Sequence, residues 1–174
     1  MTTCLMLTRL GIAIAGLLVL PSAAFAQNAP SGTNVGIGYS FLRLLDEEDI
    51  PIGWNLSFAG GGTDHVSGVA DFGGHYETSG GETWMLHTFQ AGVRVGARRT
   101  ARVIPFGQVL FGGAVATENG SEFVWVLQPG AGVDIPLRPS GVAFRTQVDF
   151  PIYMASGDSA TGLRWTVGVA IAVN

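Results

Sequence analysis

His65, Ser67 and Glu77 are the residues whose types could build a nucleophilic triad: a hydroxyl to attack, an imidazole to take its proton and a carboxylate to orient the ring. All three fall on one extended stretch. Ser67 and Glu77 stand ten positions apart, roughly 33 Å along a strand, and no triad closes over that distance. His75 and Glu77 share a face two positions apart, but two ligands fall short of the three or four a metal site needs. His87, between Met85 and Phe89 on an apolar face, has no serine or acid beside it and reads as an interfacial histidine. No glycine-rich run precedes a helix, so nucleotide binding is not indicated. These residues predict no catalytic, metal or cofactor site. The remaining charges, Asp71, Arg94, Asp134, Arg145, Asp149 and Arg164, recur at alternate positions among glycines and glutamines, and their place depends on the elements that carry them.

Val142 to Tyr153 shows those elements most clearly. Val142, Phe144, Thr146, Val148, Phe150 and Ile152 form one face, and Ala143, Arg145, Gln147, Asp149, Pro151 and Tyr153 the other. Period-two alternation specifies a strand with one apolar and one polar side. The last stretch sets Leu163, Trp165, Val167, Val169, Ile171 and Val173 against Arg164, Thr166, Gly168, Ala170 and Ala172. A face of glycine, alanine and a few charges cannot fill a soluble core, and rows of Trp, Phe, Ile and Val cannot face water over such an area. The apolar side is therefore expected to face lipid and the charges to face inward.

Composition agrees. The chain has 174 residues, 26 of them glycine, 13% charged, and a formal charge of −4, with a mean hydropathy of +0.36. Arg9, the apolar run Leu10 to Leu20 and Ala24-Phe25-Ala26 read as a signal peptide over residues 1–26. Cys4 precedes the apolar run, so it is no acylation site and leaves with the leader. The remainder is acidic, with few and scattered basic residues, which argues against nucleic-acid binding. No later run is long enough for a membrane helix, yet the chain is hydrophobic; barrel strands reconcile the two.

After a short lead, residues 27–33, eight strands are expected: Asn34–Leu45, Ile50–Gly60, Val66–Thr78, Thr83–Gly96, Val103–Thr117, Glu122–Leu137, Val142–Met154 and Gly162–Val173. Turn-forming stretches separate them. Centring the turn at Pro139-Ser140 opposes Asp134 to Arg145 and Gly132 to Gln147, and centring Gly80-Gly81 opposes Asp71 to Gln90 and Ser67 to Arg94. Opposite charges meet on the polar face, as a correct register demands. The fifth strand, with Phe106, Gln108, Leu110 and Phe111, has no legible face. The fold class is therefore all-β, an eight-stranded antiparallel up-and-down transmembrane β-barrel over residues 34–174.

The leader, PFGQVLFGGA (Pro105 to Ala114), QPGAGVDIPL (Gln128 to Leu137), FRTQVDF (Phe144 to Phe150) and the last strand resemble the small bacterial outer-membrane barrels of the OmpA and OmpX type. That resemblance implies a carboxy-terminal sorting signal at Thr166, Gly168, Ile171 and Val173, with Val173 and Asn174 in place of the customary aromatic. It implies termini in the periplasm, and hence acidic outer loops and basic inner turns. It also implies an outer aromatic girdle of Phe41, Trp54, Tyr76, Trp84, Trp125 and Trp165. Outer-membrane lipids, lipopolysaccharide and the barrel-assembly machinery are the implied partners, and a monomer the implied state. The six lumen charges read as a compensating network, and the function as a non-enzymatic envelope or surface role. A narrow pore, a lipid A-modifying enzyme and a soluble lipocalin-like carrier remain as alternatives.

Overall fold

The computed structural model describes residues 33–45, 49–50, 52–63, 65–79, 82–97, 102–117, 120–137, 141–155 and 158–173; the expected leader and the lead up to residue 32 lie outside them. The strand segments are β1 (Thr33–Leu44), β2 (Asp49–Ile50), β3 (Ile52–Gly60), β4 (Val66–Ser79), β5 (Glu82–Gly96), β6 (Ile104–Thr117), β7 (Ser121–Leu137), β8 (Val142–Asp149), β9 (Ile152–Met154) and β10 (Ser159–Val173). β2 and β3 pair with the same neighbour, β1, and β8 and β9 both lie between β7 and β10, so ten segments make eight staves. Every neighbouring pair is antiparallel. β1 pairs with β10 from Thr33↔Val173 to Leu44↔Gly162 and closes the barrel. Closure pairs the edge strands that an open sheet would leave exposed, as a membrane demands. The strand ends lie within three residues of those the alternation and turns predict.

The expected registers hold. Asp134 opposes Arg145 and Gly132 opposes Gln147; Asp71 opposes Gln90 and Ser67 opposes Arg94. The faces also divide as expected. Arg145, Gln147, Asp149, Pro151 and Tyr153 are all buried, whereas Phe144, Val148 and Phe150 are exposed on the outer wall. Ile37 at 58% and Val93 at 54% are among the most exposed large hydrophobic residues, while Asp71 at 0% and Arg164 at 1% are among the least exposed charged ones. Such inversion has a simple cause: an eight-stranded barrel leaves an interior just wide enough for side chains to fill, and only the outer wall meets lipid.

Two local departures matter. Tyr39 of β1 opposes Trp54 of β3, but Leu42 of β1 opposes Ile50 of β2, so the register slips by one residue between them. A one-residue slip flips the facing of the residues beyond it. Ile50 thereby turns inward, 2% exposed. The fifth stave, β6, is the one without a legible face: Phe106, Gln108, Leu110 and Ala114 point inward, while Val109 and Phe111 point outward. Apart from Gln108 its inner side is apolar like its outer one, with Leu110 packed among Ala59 and Val69.

Candidate functional site

The lumen is filled in three layers. At mid-depth, Arg164 of β10 reaches past two intervening staves to Asp71 of β4, with Nη1 to Oδ1 at 3.1 Å, and also holds Asp149 of β8, with Nη2 to Oδ2 at 3.0 Å. Asn55 donates to both oxygens of Asp71 at 3.0 Å. Gln108 and Gln147 donate to the two oxygens of Asp149, each at 3.0 Å. A carboxylate this buried is stable as an ion only when its acceptor sites are filled in this way.

Glycines make these reaches possible. Gln108, Gly130 and Asp149 lie side by side on three neighbouring strands, so Gln108 crosses over the glycine to Asp149. A Cβ on Gly130 would collide with the Asp149 carboxylate. Phe106, Gly132 and Gln147 repeat the arrangement one step further along.

Toward the end that carries both termini, Arg145 holds Asp134 and adds bonds to Ser57 Oγ at 3.3 Å and Asn34 Oδ1 at 3.2 Å. Arg94 donates to Gln108 Oε1 from Nε at 3.0 Å and Nη2 at 2.7 Å. The ring of Phe106 lies under both guanidinium groups, 4.3 Å from that of Arg94 and 5.3 Å from that of Arg145. A cavity of about 480 Å³ opens beside them, lined by Arg94, Phe106, Asp134 and Arg145 and by the strand ends around the mouth.

The opposite end departs from the expected polar filling. Leu42, Leu44, Ile50, Leu86, Ala114, Val126 and Tyr153 form a buried apolar cluster, with Trp84 packed against it. Trp84 thus belongs to the lumen rather than to the aromatic girdle, a correction to the expectation. It shares the inner parity of β5 with Leu86, Thr88 and Gln90, and an apolar inner layer accepts it there. The other girdle residues stand on the outer wall: Trp54 at 40%, Trp125 at 52% and Trp165 at 51% exposed, with Phe41 opposite Trp165. Trp125 stacks on Phe111 with ring centroids 5.4 Å apart. Trp54 Nε1 donates to Tyr76 Oη at 3.1 Å, and Tyr76 Oη meets His87 Nε2 at 3.1 Å. Partnered indole and phenol groups on an apolar wall suit a membrane interface.

All six expected network residues, Asp71, Arg94, Asp134, Arg145, Asp149 and Arg164, face the lumen. They join in a central cluster and a mouth pair, with Arg94 hydrogen-bonded to the cluster, among the described residues, through Gln108. Thr166 and Gly168 face inward in β10, and Ile171 and Val173 outward. His75 is buried with Nε2 3.0 Å from Ser40 Oγ. His65 and Ser67 lie at the cavity mouth, and Glu77 near the far end of β4; these three do not meet. Gln108, Gln128 and Gln147 are lumen residues beyond the expected six. Their signal was an amide in an alternating strand, legible for Gln128 and Gln147 but hidden for Gln108 by the ambiguous facing of β6.

No protein-family model and no curated protein sequence matches the chain; solved structures do. Neisserial surface protein A (NspA) superposes with a TM-score of 0.69 at 12% identity, covering 82% of this chain and 98% of its own. OprG from Pseudomonas aeruginosa gives 0.59 at 9%, covering 82% and 96%. Ail, the attachment invasion locus protein of Yersinia pestis, solved in complex with the heparin analogue sucrose octasulfate, gives 0.57 at 19%, covering 80% and 97%. With its apolar outer wall, its polar lumen and these three likenesses, the chain has the fold of the small eight-stranded outer-membrane β-barrels.

Proposed function

We propose that this protein is an integral barrel of a bacterial outer membrane, with its termini in the periplasm and a non-enzymatic role in envelope structure or surface interaction. The observation that carries the reading is the inverted exposure: Ile37, Phe89, Val109, Phe111 and Phe123 on the outer wall, Asp71, Asp149 and Arg164 inside. Lipid alone matches such a wall, and a lipocalin-like carrier would need the faces reversed. The lumen works as a plug rather than a conduit, because the ion pairs fill its middle and the Leu42–Tyr153 cluster its far end. An enzyme of the lipid A-modifying kind has no support in the placement of His65, Ser67 and Glu77. Outer-membrane lipids, including lipopolysaccharide, are the surrounding partners, the barrel-assembly machinery the insertion partner, and the protein acts as a monomer.

Membrane fractionation combined with heat-modifiable gel mobility tests location and barrel closure together. The protein is expected in the outer-membrane fraction, with unheated protein running apart from boiled protein. Recovery without detergent from the periplasm would overturn the reading. Stable single-channel steps in planar bilayers would replace the plug by a pore.

A further inference from the structure

We propose that the lumen binds a file of water molecules along the inner face of β5, running from the cavity at the chain termini to His75 and stopping at the apolar cluster of Leu42, Leu86 and Tyr153. The inference rests on the plug reading and deepens it: the barrel is wet on the mouth side, in the gaps between the ion pairs, and the cluster is the dry stop.

Unpaired polar atoms mark the path. Arg94, Gly92, Gln90 and Thr88 follow one another along the inner face of β5, from the cavity lining to Leu86 of the cluster. Three of the four carry buried atoms with no hydrogen-bond partner among the described residues: Nη1 of Arg94, both amide atoms of Gln90 and Oγ1 of Thr88. Gln128 Nε2 on β7 and His75 Nδ1 on β4 share that condition, and none of these five residues is more than 5% exposed. A buried polar group without a bond costs free energy, and folded proteins leave few of them. Five at once, three on a single strand face, call for a shared partner.

Glycine leaves the room. Gly73 stands opposite Thr88, between Asp71 and His75 on the inner face of β4, and a Cβ there would lie 2.8 Å from Thr88 Oγ1 and 3.5 Å from Arg164 Nη1. His75 turns the Cδ2 edge of its ring to Gly53 of β3, so Nδ1, on the other edge, is turned toward the β5 side. The chemistry of the unpaired atoms then selects the ligand. Arg94, Arg145 and Arg164 are matched by Asp71, Asp134 and Asp149, which leaves no net charge among them to hold an ion. Arg94 Nη1 and Gln128 Nε2 are donors, while Gln90 offers a donor and an acceptor together. A ligand that donates and accepts in turn, and fits gaps in a lumen already filled by side chains, is water.

The test is NMR of the isotope-labelled protein in lipid nanodiscs, recording nuclear Overhauser cross-peaks to water in the laboratory and rotating frames. The side-chain amide protons of Gln90 and Gln128 and the ring Hε1 of His75 are expected to show cross-peaks that change sign between the two frames, the mark of dipolar contact with water rather than proton exchange. The methyl groups of Leu42 and Leu86 should show none. Gly73→Ala places a methyl group beside Thr88 and should remove the His75 contact while Gln90 keeps its own. Heat-modifiable mobility verifies folding; if Gly73→Ala does not fold, the wild-type pattern decides. Missing or same-sign cross-peaks at Gln90 and Gln128, water at the Leu42 and Leu86 methyl groups, or an unchanged His75 contact in folded Gly73→Ala would each overturn the proposal. Single-channel steps with dry Leu42 and Leu86 methyl groups would instead sink the plug reading and leave the file in place.

Discussion

Arg145 grips Asp134 with two parallel hydrogen bonds, Nε to Oδ1 and Nη2 to Oδ2, both 2.7 Å, from directly opposed positions on β7 and β8. Arg145→Ala would leave the carboxylate without its partner and also strip the bonds to Ser57 and Asn34. The cost for a dry pair is about 3–5 kcal/mol. Asp134 is 15% exposed at the cavity mouth, so the expected loss is near the lower end of that range. The double change to alanine should recover part of it. Reversible urea unfolding from lipid vesicles measures both.

Arg164 serves two carboxylates, so its loss should exceed that of either partner. Arg164→Gln leaves Asp71 and Asp149 facing each other's field in the lumen, whereas Asp71→Asn leaves Arg164 still paired with Asp149. We expect Arg164→Gln to cost more than the ~3–5 kcal/mol of a single broken buried pair, and Asp71→Asn clearly less. Equal unfolding free energies for the two variants would mean that the network is not shared through Arg164.

The outer wall predicts a depth-dependent penalty. Phe72 sits at the middle of β4, 40% exposed, and Phe144 only two positions from the start of β8, 38% exposed. Phe72→Arg should cost about 2–4 kcal/mol and Phe144→Arg less, since the cost of a charge falls toward the interface. The same vesicle unfolding assay compares them. Neutrality of both would mean that this wall does not face hydrocarbon.

Gly130→Ala tests the glycine bridge. The added methyl group would strike the Asp149 carboxylate, which must leave its bonds with Gln108, Gln147 and Arg164. Overpacking of this kind costs about 1–3 kcal/mol. Gly68→Ala is the control, because the nearest atom to its Cβ would be 3.5 Å away. Denaturant midpoints should separate the two variants.

What the sequence determined by itself is local. Alternation in Val142 to Tyr153 specifies which residues share a face, and the turns at Pro139-Ser140 and Gly80-Gly81 specify which residues oppose each other. Those two rules suffice for Asp134 opposite Arg145 and Ser67 opposite Arg94. Period-two patterning is legible in these strands because each of them is amphipathic on its own account.

Only the tertiary structure decided what meets across the lumen. Arg164 and Asp71 lie 93 residues apart, and their contact depends on how far each strand is staggered before β1 closes on β10. No turn encodes that stagger, because it accumulates around the whole barrel. Alternation also fails wherever both faces are apolar, as in β6, at Trp84 and at Ile50. At Trp84 and Ile50 the far end of the lumen is filled by hydrophobic side chains, and in β6 Leu110 packs on Ala59 and Val69, so inward and outward residues become indistinguishable by polarity.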